Sequence, residues 1–489
     1  MDKVLSDLIQ NTDVISITGD RSVRITSVAF DSRKVENGCL FVAVKGTQSD
    51  GHEFIHAAIK SGARAIVCET LPAATPDGVT FVHVQNSAKA LALIASAFYG
   101  HPSQKLKLVG ITGTNGKTTT ITLLHRLFTA LGYKSGCFTT IRNYIGDRTV
   151  EATHTTPDPV QLNRIMSEMV DAGCSYAFME VSSHALVQHR VAGLDFAGGI
   201  FSNITHDHLD YHKTFDEYIK AKKLFFDQMP EGSFSLINAD DRNGKVMVQN
   251  TRSTVSYYGI RSMADFKAKI IESHFNGTLL NIDNTEIWTR FLGEFNVYNL
   301  LAVYACARLL GQDKEEVLTL LSGMDTVEGR FQYIRAENGI TAVIDYAHTP
   351  DAIVNVLRTI DQIRKKEEKV ITVVGAGGNR DKTKRPVMAR VAAEMSDRVI
   401  LTSDNPRNEE PLDILNDMKA GLNEEQLKRT LIQPDRREAI KMAYMMAHEG
   451  DIILIAGKGH ETYQEIKGVK HHFSDFEEAR SVFGIANPS

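Results

Sequence analysis

The 489-residue sequence lacks the features that mark secreted, membrane-spanning or disulfide-stabilised proteins. Its five cysteines are widely scattered and contain no CxxC pair, which argues against a zinc site or redox couple and favours reduced thiols. No basic segment followed by an apolar one opens the chain, and no uncharged apolar run approaches the length of a membrane span. We therefore expect a cytoplasmic protein without membrane insertion.

The sequence also lacks an excess of charge of one sign. Its 55 basic and 60 acidic residues nearly balance, so no global field favours nucleic acid, and any phosphate binding must be local. An apolar share of 43% is ordinary for a globular chain. We expect a folded monomer that does not bind nucleic acid.

Length and pattern predict three α/β domains, covering residues 1–100, 101–330 and 331–489. The first is small, and the other two alternate apolar strands with helical segments, which indicates largely parallel sheets covered by helices. The strands predicted in these two domains are 106–111, 176–181, 199–203, 234–238, 341–346, 370–374, 399–402, 431–433 and 452–456.

Residues 110–119, GITGTNGKTT, form the strongest local motif, between an apolar strand and an amphipathic helix. Glycines let successive N–H groups face one anion, and the helix N-terminus adds its positive dipole end. Lys117 would meet the β and γ phosphates, and the Thr118 hydroxyl can ligate Mg²⁺. Ile111 replaces the first glycine of the usual pattern, but the flanking strand and helix favour a phosphate site over an incidental turn.

Two polar segments follow neighbouring strands downstream of this loop. Glu180 ends one strand, and His206 and His208 follow the next. A carboxylate suits Mg²⁺, whereas the two histidines alone fit polar loop residues or a transition-metal pair better. The residues by themselves leave both interpretations open.

Four polar clusters follow strands of the last third of the chain. They comprise Asp345 with His348, residues 375–385, residues 404–407 and residues 457–461. Ligands of open α/β sheets bind beyond the carboxyl ends of the strands, so the clusters predict one shared site. Arg380 stands at the third glycine position of a dinucleotide-like GAGGNR segment, which argues against a nicotinamide site.

Taken in order, these segments resemble the Mur ligase family over nearly the whole chain. Further markers of the resemblance are residues 31–33 (DSR), 154–157 (HTTP), 180–184 (EVSSH), 207–210 (DHLD), 218–225, 293–299 and 329–331 (GRF). The family implies a UDP-sugar-binding N-terminal domain, a central P-loop ATPase-like parallel sheet and a C-terminal Rossmann-like open sheet that binds an amino acid. It also implies an ATP-dependent amide ligase of peptidoglycan precursor synthesis, acting through an acyl phosphate.

The resemblance assigns roles to individual residues. For ATP these are Gly113, Thr114, Asn115, Gly116, Lys117, Thr118 and Thr119 at the phosphates, Asn299 at the adenine, and Arg330 and Asp345 completing the site. For the UDP-sugar substrate they are Ser32, Thr47, Gln48, Ser49, Thr155, Thr156, Ser182, Gln188 and Arg190. For Mg²⁺ they are Thr118, Glu180, His208 and Lys222, the last as a carbamate. Without the resemblance, Lys222 looks like a solvated helix lysine.

The resemblance also implies that substrate choice depends on the quartet Asp404, Asn405, Pro406 and Arg407. It resembles the form found in members that add meso-2,6-diaminopimelate to UDP-N-acetylmuramoyl-L-alanyl-D-glutamate, in which the arginine holds the distal carboxylate that lysine lacks. Arg380, Gly457 and Glu461 would join it, with Glu461 at the distal ammonium. The alternatives are a lysine-adding or folylpolyglutamate synthetase-like ligase and, from another class, a P-loop kinase or nucleotide-regulated binding protein.

Overall fold

The computed structural model describes residues 2–46, 49–152, 154–205, 207 and 209–485, without the side chains of Leu209 and Asp210. Within these ranges, no helix is both long and apolar enough to cross a membrane. Three large sheets follow one another along the chain, and helices cover them.

The strands are β1 Lys3–Val4, β2 Val14–Thr18, β3 Arg24–Ile25, β4 Ser27–Ala29, β5 Cys39–Val42, β6 Ala65–Cys68, β7 Thr80–Val84, β8 Lys107–Thr112, β9 Ser135–Phe138, β10 Arg142–Ile145, β11 Arg148–Glu151, β12 Tyr176–Glu180, β13 Gly198–Phe201, β14 Phe234–Asn238, β15 Thr254–Gly259, β16 Phe266–His274, β17 Gly277–Ile282, β18 Thr285–Thr289, β19 Gln332–Arg335, β20 Thr341–Asp345, β21 Val370–Val374, β22 Arg398–Leu401, β23 Thr430–Ile432, β24 Ile452–Ala456, β25 Tyr463–Ile466 and β26 Val469–His472.

The α-helices are α1 Leu5–Leu8, α2 Ile55–Lys60, α3 Ser87–Phe98, α4 Lys117–Ala130, α5 Pro159–Asp171, α6 Ser183–Val187, α7 Leu209–His212, α8 Phe215–Asp227, α9 Gly244–Met247, α10 Glu294–Leu309, α11 Lys314–Ser322, α12 Pro350–Ile363, α13 Lys384–Met395, α14 Pro411–Lys419, α15 Glu424–Lys428, α16 Arg436–Met446 and α17 Asp475–Val482.

The N-terminal sheet has the order β2-β7-β6-β5-β4. Strands β4 to β7 run parallel, and β2 is an antiparallel edge. Helix α3 buries Leu91 and Ile94 against one face, and its N-cap Asn86 accepts a hydrogen bond from the Lys89 N–H. The sheet is therefore a small α/β unit, as the sequence predicts.

The central sheet has the order β11-β10-β9-β12-β8-β13-β14-β15-β16-β17-β18. Seven neighbouring strands of this sheet run parallel, which confirms the predicted parallel sheet. They are β9, β12, β8, β13, β14, β15 and β16. The hairpins at both ends, β10–β11 and β16–β18, are antiparallel extensions that the sequence analysis missed. Strand β16 alternates exposed and partly buried positions, a weaker signal than the continuous apolar runs of the parallel core.

The C-terminal sheet has the order β19-β20-β24-β21-β22-β23, parallel except for the edge strand β19. Its strands β20, β21 and β24 are buried along their whole length, which is why they read as unbroken apolar runs. All nine strands predicted in the last two domains are present, with ends shifted by at most two residues. Strands β20, β24, β21 and β22 are neighbours, so their four polar clusters meet at one edge.

Candidate functional site

A cavity of about 620 Å³ lies between the carboxyl edges of the central and C-terminal sheets. The central sheet contributes loop residues 114–119 together with Glu180, Ser182 and Lys222. The C-terminal unit contributes residues from all four predicted clusters. Predicted site residues that line this one cavity are Thr114, Asn115, Gly116, Lys117, Thr118, Thr119, Thr155, Glu180, Ser182, Lys222, Asn299, Arg330, Asp345, Arg380, Asp404, Asn405, Arg407, Gly457 and Glu461.

The phosphate loop connects β8 to α4 and is shaped by two glycines. Gly113 has φ 151° and Gly116 has φ 87°, a region that favours glycine. A Cβ on Gly113 would lie 2.0 Å from Ser202 Oγ, and one on Gly116 would lie 2.3 Å from Asn299 Oδ1. The loop is thus curled against its neighbours, and the first N–H groups of α4, which have no intrahelical partners, could bind an anion.

Two lysines converge on this loop. Lys117 Nζ donates to the carbonyl oxygens of Gly113, at 2.9 Å, and Thr114, at 2.8 Å. Lys222 Nζ, on α8, donates to the same Gly113 oxygen at 2.7 Å and lies 4.5 Å from the ring centre of Tyr218. Burial lowers the pKa of Lys117, and for Lys222, with Lys117 nearby, it lowers the pKa well below the usual value. Lys222 is 1% exposed, so its interpretation as a solvated helix lysine is wrong.

Oxygen atoms beside the loop form a chain that suits a magnesium ion. Glu180 Oε1 accepts hydrogen bonds from the Thr140 N–H at 3.0 Å and from Thr140 Oγ1 at 3.4 Å. Thr140 Oγ1 lies 3.0 Å from Thr118 Oγ1, to which Arg330 Nη2 donates at 3.0 Å. The part of the chain that the structure describes contains no group of three His, Cys, Asp or Glu side chains suited to a metal. His206 and His208 lie outside the described residues.

Asp345 and Asn299 both line the cavity and also contact neighbouring segments. Asp345 Oδ2 accepts a hydrogen bond from the Phe331 N–H at 2.7 Å, which ties the segment after Gly329 to the C-terminal sheet. Burial raises the pKa of Asp345 to about 6, although the Arg330 charge opposes the shift. Asn299 Oδ1 lies 3.5 Å from Thr120 Oγ1, directly behind the loop.

At the opposite end, Arg407 lies between two residues of its own chain. Its Nη1 donates to the Gly378 carbonyl at 2.8 Å, and its Nε lies 3.4 Å from Glu465 Oε2. Its backbone has φ 51°, a strained value for a residue other than glycine. Pro406 does not line the main cavity and instead faces a second cavity of about 410 Å³ behind this loop. Arg407 and Pro406, which are adjacent in the chain, therefore line different cavities.

The residues predicted to bind the UDP-sugar substrate are not all brought together. Thr155 and Ser182 line the cavity. Thr156 Oγ1 donates to the Glu180 carbonyl at 2.8 Å, and Arg190 bonds the Thr156 carbonyl and Gln188 Oε1, so these three residues form a bonded group outside the lining. Ser32 and Ser49 belong to the N-terminal unit and do not line the cavity. Thr47 and Gln48 lie outside the described residues.

Several lining residues were not singled out from the sequence. Asp351 accepts a hydrogen bond from Asn115 Nδ2 at 3.0 Å and thereby joins α12 to the phosphate loop. Asp240 accepts hydrogen bonds from three successive N–H groups, residues 260–262, and from the Tyr298 hydroxyl. Asp240 follows β14 at the same sheet edge as the other site residues, so the rule that found Glu180 could have found it too.

One parallel sheet carries a phosphate-type loop, and the carboxyl edge of a second sheet faces this loop across the cavity. This arrangement is typical of the class of enzymes that bring a second substrate to a nucleotide phosphate. Family models agree with this class. The descriptions that match are "Mur ligase family, catalytic domain" over residues 24–99, "Mur ligase middle domain" over 111–307 and "Mur ligase, glutamate ligase domain" over 329–459.

Curated relatives extend the match to nearly the whole chain. A protein of Bacteroides fragilis named UDP-N-acetylmuramoyl-L-alanyl-D-glutamate--2,6-diaminopimelate ligase is 56% identical over 98% of this chain and 99% of its own length. A protein of the same name from Cytophaga hutchinsonii is 58% identical over 96% of this chain and 97% of its own. The chain belongs to the Mur ligase family.

Solved structures share the architecture. A structure of UDP-N-acetylmuramoyl-L-alanyl-D-glutamate--2,6-diaminopimelate ligase matches with a TM-score of 0.70 at 32% identity, covering 99% of both chains. A MurF ligase from Thermotoga maritima in complex with ADP matches with a TM-score of 0.64 at 20% identity, covering 94% of this chain and 96% of its own, which shows the fold alone. The predicted three-part α/β fold class is therefore confirmed.

Proposed function

We propose that the chain uses ATP to add meso-2,6-diaminopimelate to UDP-N-acetylmuramoyl-L-alanyl-D-glutamate, a step of peptidoglycan precursor synthesis. Relatives with this printed activity are 54–58% identical over nearly their whole length, and the chain carries both the phosphate loop and the quartet at Asp404 to Arg407. We assign the UDP-sugar to residues 1–100, ATP to 101–330 and the amino acid to 331–489.

The first chemical step must bring together two anions, the substrate carboxylate and the γ-phosphate. Lys117 and the Arg330 guanidinium both line the cavity beside the loop, where their charges reduce the repulsion and stabilise the charge growing on the transferred phosphoryl group. A carboxylate oxygen attacks the γ-phosphorus, the bond to the β-phosphate oxygen breaks, and ADP leaves. The product is an acyl phosphate.

In the second step the free amine of the amino acid attacks the acyl carbon. A tetrahedral intermediate forms, loses the amine proton to a base or to water, and collapses to the amide and inorganic phosphate. The cavity brings the phosphate loop and the C-terminal clusters into one space, so the amine can approach the acyl group without a further transfer.

Thr118 and Glu180 supply the hard oxygens that Mg²⁺ prefers, and we propose that they hold the ion with His208 and a carbamate on Lys222. When bound, the ion would neutralise phosphate charge and align the γ-phosphate. An ammonium on Lys222 would repel it. The low pKa that burial gives Lys222 favours the neutral amine, the form that reacts with carbon dioxide to give a carbamate.

At the amino-acid end, we propose that Arg407 binds the distal carboxylate of diaminopimelate, with Arg380, Asp404, Asn405 and Gly457 completing the contacts. Arginine suits planar, bidentate carboxylate recognition. Lysine has no distal carboxylate, so with lysine bound the Arg407 guanidinium would have no carboxylate partner on the substrate. We place the enzyme in the cytoplasm, where its five cysteines would stay reduced. A monomer remains our prediction.

The observation that carries the proposal is the cavity shared by the phosphate loop and Asp404, Asn405 and Arg407. A phosphate-release assay with ATP, Mg²⁺ and the UDP-muramoyl dipeptide should show turnover with meso-diaminopimelate and little with lysine or glutamate. Faster turnover with lysine would favour the lysine-adding alternative. Phosphate retained on the product, with no inorganic phosphate released, would favour a kinase and contradict the proposal.

A further inference from the structure

A fully buried lysine beneath the amino-acid end has no role in the chemistry described above. Lys458 follows β24, is 0% exposed and does not line the cavity, so it cannot touch a substrate. Its Nζ donates to Glu461 Oε2 at 2.8 Å and to Asn405 Oδ1 at 3.2 Å, and it lies 5.5 Å from the ring centre of Tyr463. A buried ammonium is costly unless it is paired, which indicates a specific purpose for this pairing.

The two partners of Lys458 are themselves cavity residues. Glu461 Oε2 also accepts a hydrogen bond from Asn405 Nδ2 at 2.8 Å, and Asn405 Oδ1 also accepts one from the Glu465 N–H at 2.9 Å. The amide orientation of Asn405 and the position of Glu461 are therefore determined together. Both bonds to Glu461 use its Oε2, so Oε1 is not engaged by Lys458 or Asn405, and Glu461 lines the cavity.

The charges around Glu461 also indicate that Lys458 stabilises this carboxylate. Asp404 also lines the cavity, and a Cβ on Gly457 would lie 2.6 Å from its Oδ2, so Asp404 lies against the turn that leads to Lys458. Two carboxylates in one partly buried site repel each other. Lys458 forms an ion pair with Glu461 at 2.8 Å and so offsets the charge of one of the two carboxylates.

We infer that Lys458 is a positioning residue for amino-acid recognition, holding Glu461 and Asn405 so that one carboxylate oxygen faces the ammonium group of the incoming amino acid. The inference rests on the proposed function. Misplacing a binding group by about 1 Å can cost about 100-fold, so loss of Lys458 should raise KM for diaminopimelate by about 10- to 100-fold. KM for ATP should change less than about twofold, because the phosphate loop is built without Lys458.

The test compares Lys458→Met with Glu461→Gln and with the double variant in the phosphate-release assay. If Lys458 acts through Glu461, the two single changes will not add, and Lys458→Met will have little further effect on KM in the Glu461→Gln background. The double variant removes both charges of the pair, so it should also fold when Lys458→Met alone does not. Thermal unfolding of each variant reports folding separately.

Lys470→Met is a matched control. The Lys470 ammonium also lies over the Tyr463 ring, at 4.2 Å from its centre, but it is exposed and touches neither Glu461 nor Asn405. Its KM for diaminopimelate should equal that of the unmodified enzyme. Additive effects of the two single changes, or an equal rise of both KM values in Lys458→Met, would overturn the inference. Absence of diaminopimelate-dependent turnover in the unmodified enzyme would instead contradict the proposed function.

Discussion

The two ends of the cavity are built in different ways. The phosphate end is a contiguous segment, residues 113–119, whose backbone curl is set by two glycines with positive φ and which continues into the N-terminus of α4. The amino-acid end assembles side chains from four loops, joined by hydrogen bonds such as those of Lys458 and Arg407. Under the proposed function, local backbone geometry would provide the reaction common to the family, and long-range side-chain contacts would provide the choice of substrate.

The largest expected effect is at the phosphate end. Lys117→Met should lower kcat about 10²- to 10³-fold, because it removes a preorganised charge at the transferred phosphoryl group. Steady-state phosphate release measures kcat, and Lys105→Met, at an exposed position just before β8, is the control. A change in kcat of less than about threefold would contradict the role of Lys117.

Lys222 provides the next test, because it bonds the same carbonyl oxygen as Lys117. Lys222→Ala should lower turnover about 100-fold, by analogy with losses of groups that orient a metal site. Bicarbonate or a short carboxylate should partly restore turnover by replacing the missing carbamate. Lys220→Ala, two residues away on the exposed face of α8, should behave like the unmodified enzyme. Full activity of Lys222→Ala without additives would disprove the carbamate proposal.

Arg407→Ala should impair use of diaminopimelate without impairing use of ATP. It should lower kcat/KM for diaminopimelate by about 10- to 100-fold, as expected for removal of one partner of a desolvated charge pair. KM for ATP should stay nearly constant, and Arg390→Ala, at an exposed site on α13, controls for loss of charge. Equal losses for both substrates would show that the two ends do not act separately.

The smallest expected effect concerns Glu465, which lies 3.4 Å from the Arg407 guanidinium and would compete for it with a substrate carboxylate. Both side chains are partly exposed, so their interaction is weak, and Glu465→Gln should lower KM for diaminopimelate by only about two- to fivefold. Turnover with lysine should not improve, because lysine has no carboxylate for the released arginine. A higher KM would show that Glu465 positions Arg407 instead of competing for it. Glu410→Gln, at an exposed ion pair, serves as the control.

The difference between the two ends also explains what could be predicted from the sequence. The phosphate loop is encoded by neighbouring residues, and the parallel strands by unbroken apolar runs, so both were found, together with the shared edge of the four C-terminal clusters. The family resemblance named residues and roles. The roles stay predictions, although most of the residues line one cavity.

Features that depend on contacts between residues far apart in the chain could not be predicted from the sequence. Lys222 looks like a surface lysine in sequence, and the sequence does not show that Lys458 is buried. Their burial results from packing against Gly113 and Asn405, which lie 109 and 53 residues away. Pro406 belongs to a contiguous motif, yet it lines another cavity than its neighbours Asn405 and Arg407. The antiparallel hairpins of the central sheet were missed because partly exposed strands carry a weak apolar pattern.

The central claim is that the carboxylate and the γ-phosphate react directly in the shared cavity. The most direct measurement is turnover of UDP-muramoyl dipeptide whose reacting carboxylate carries two ¹⁸O atoms, followed by mass spectrometry of the inorganic phosphate. The account predicts one ¹⁸O in each released phosphate and the other in the new amide. Phosphate without ¹⁸O, with amide formation still dependent on ATP, would contradict the acyl-phosphate route.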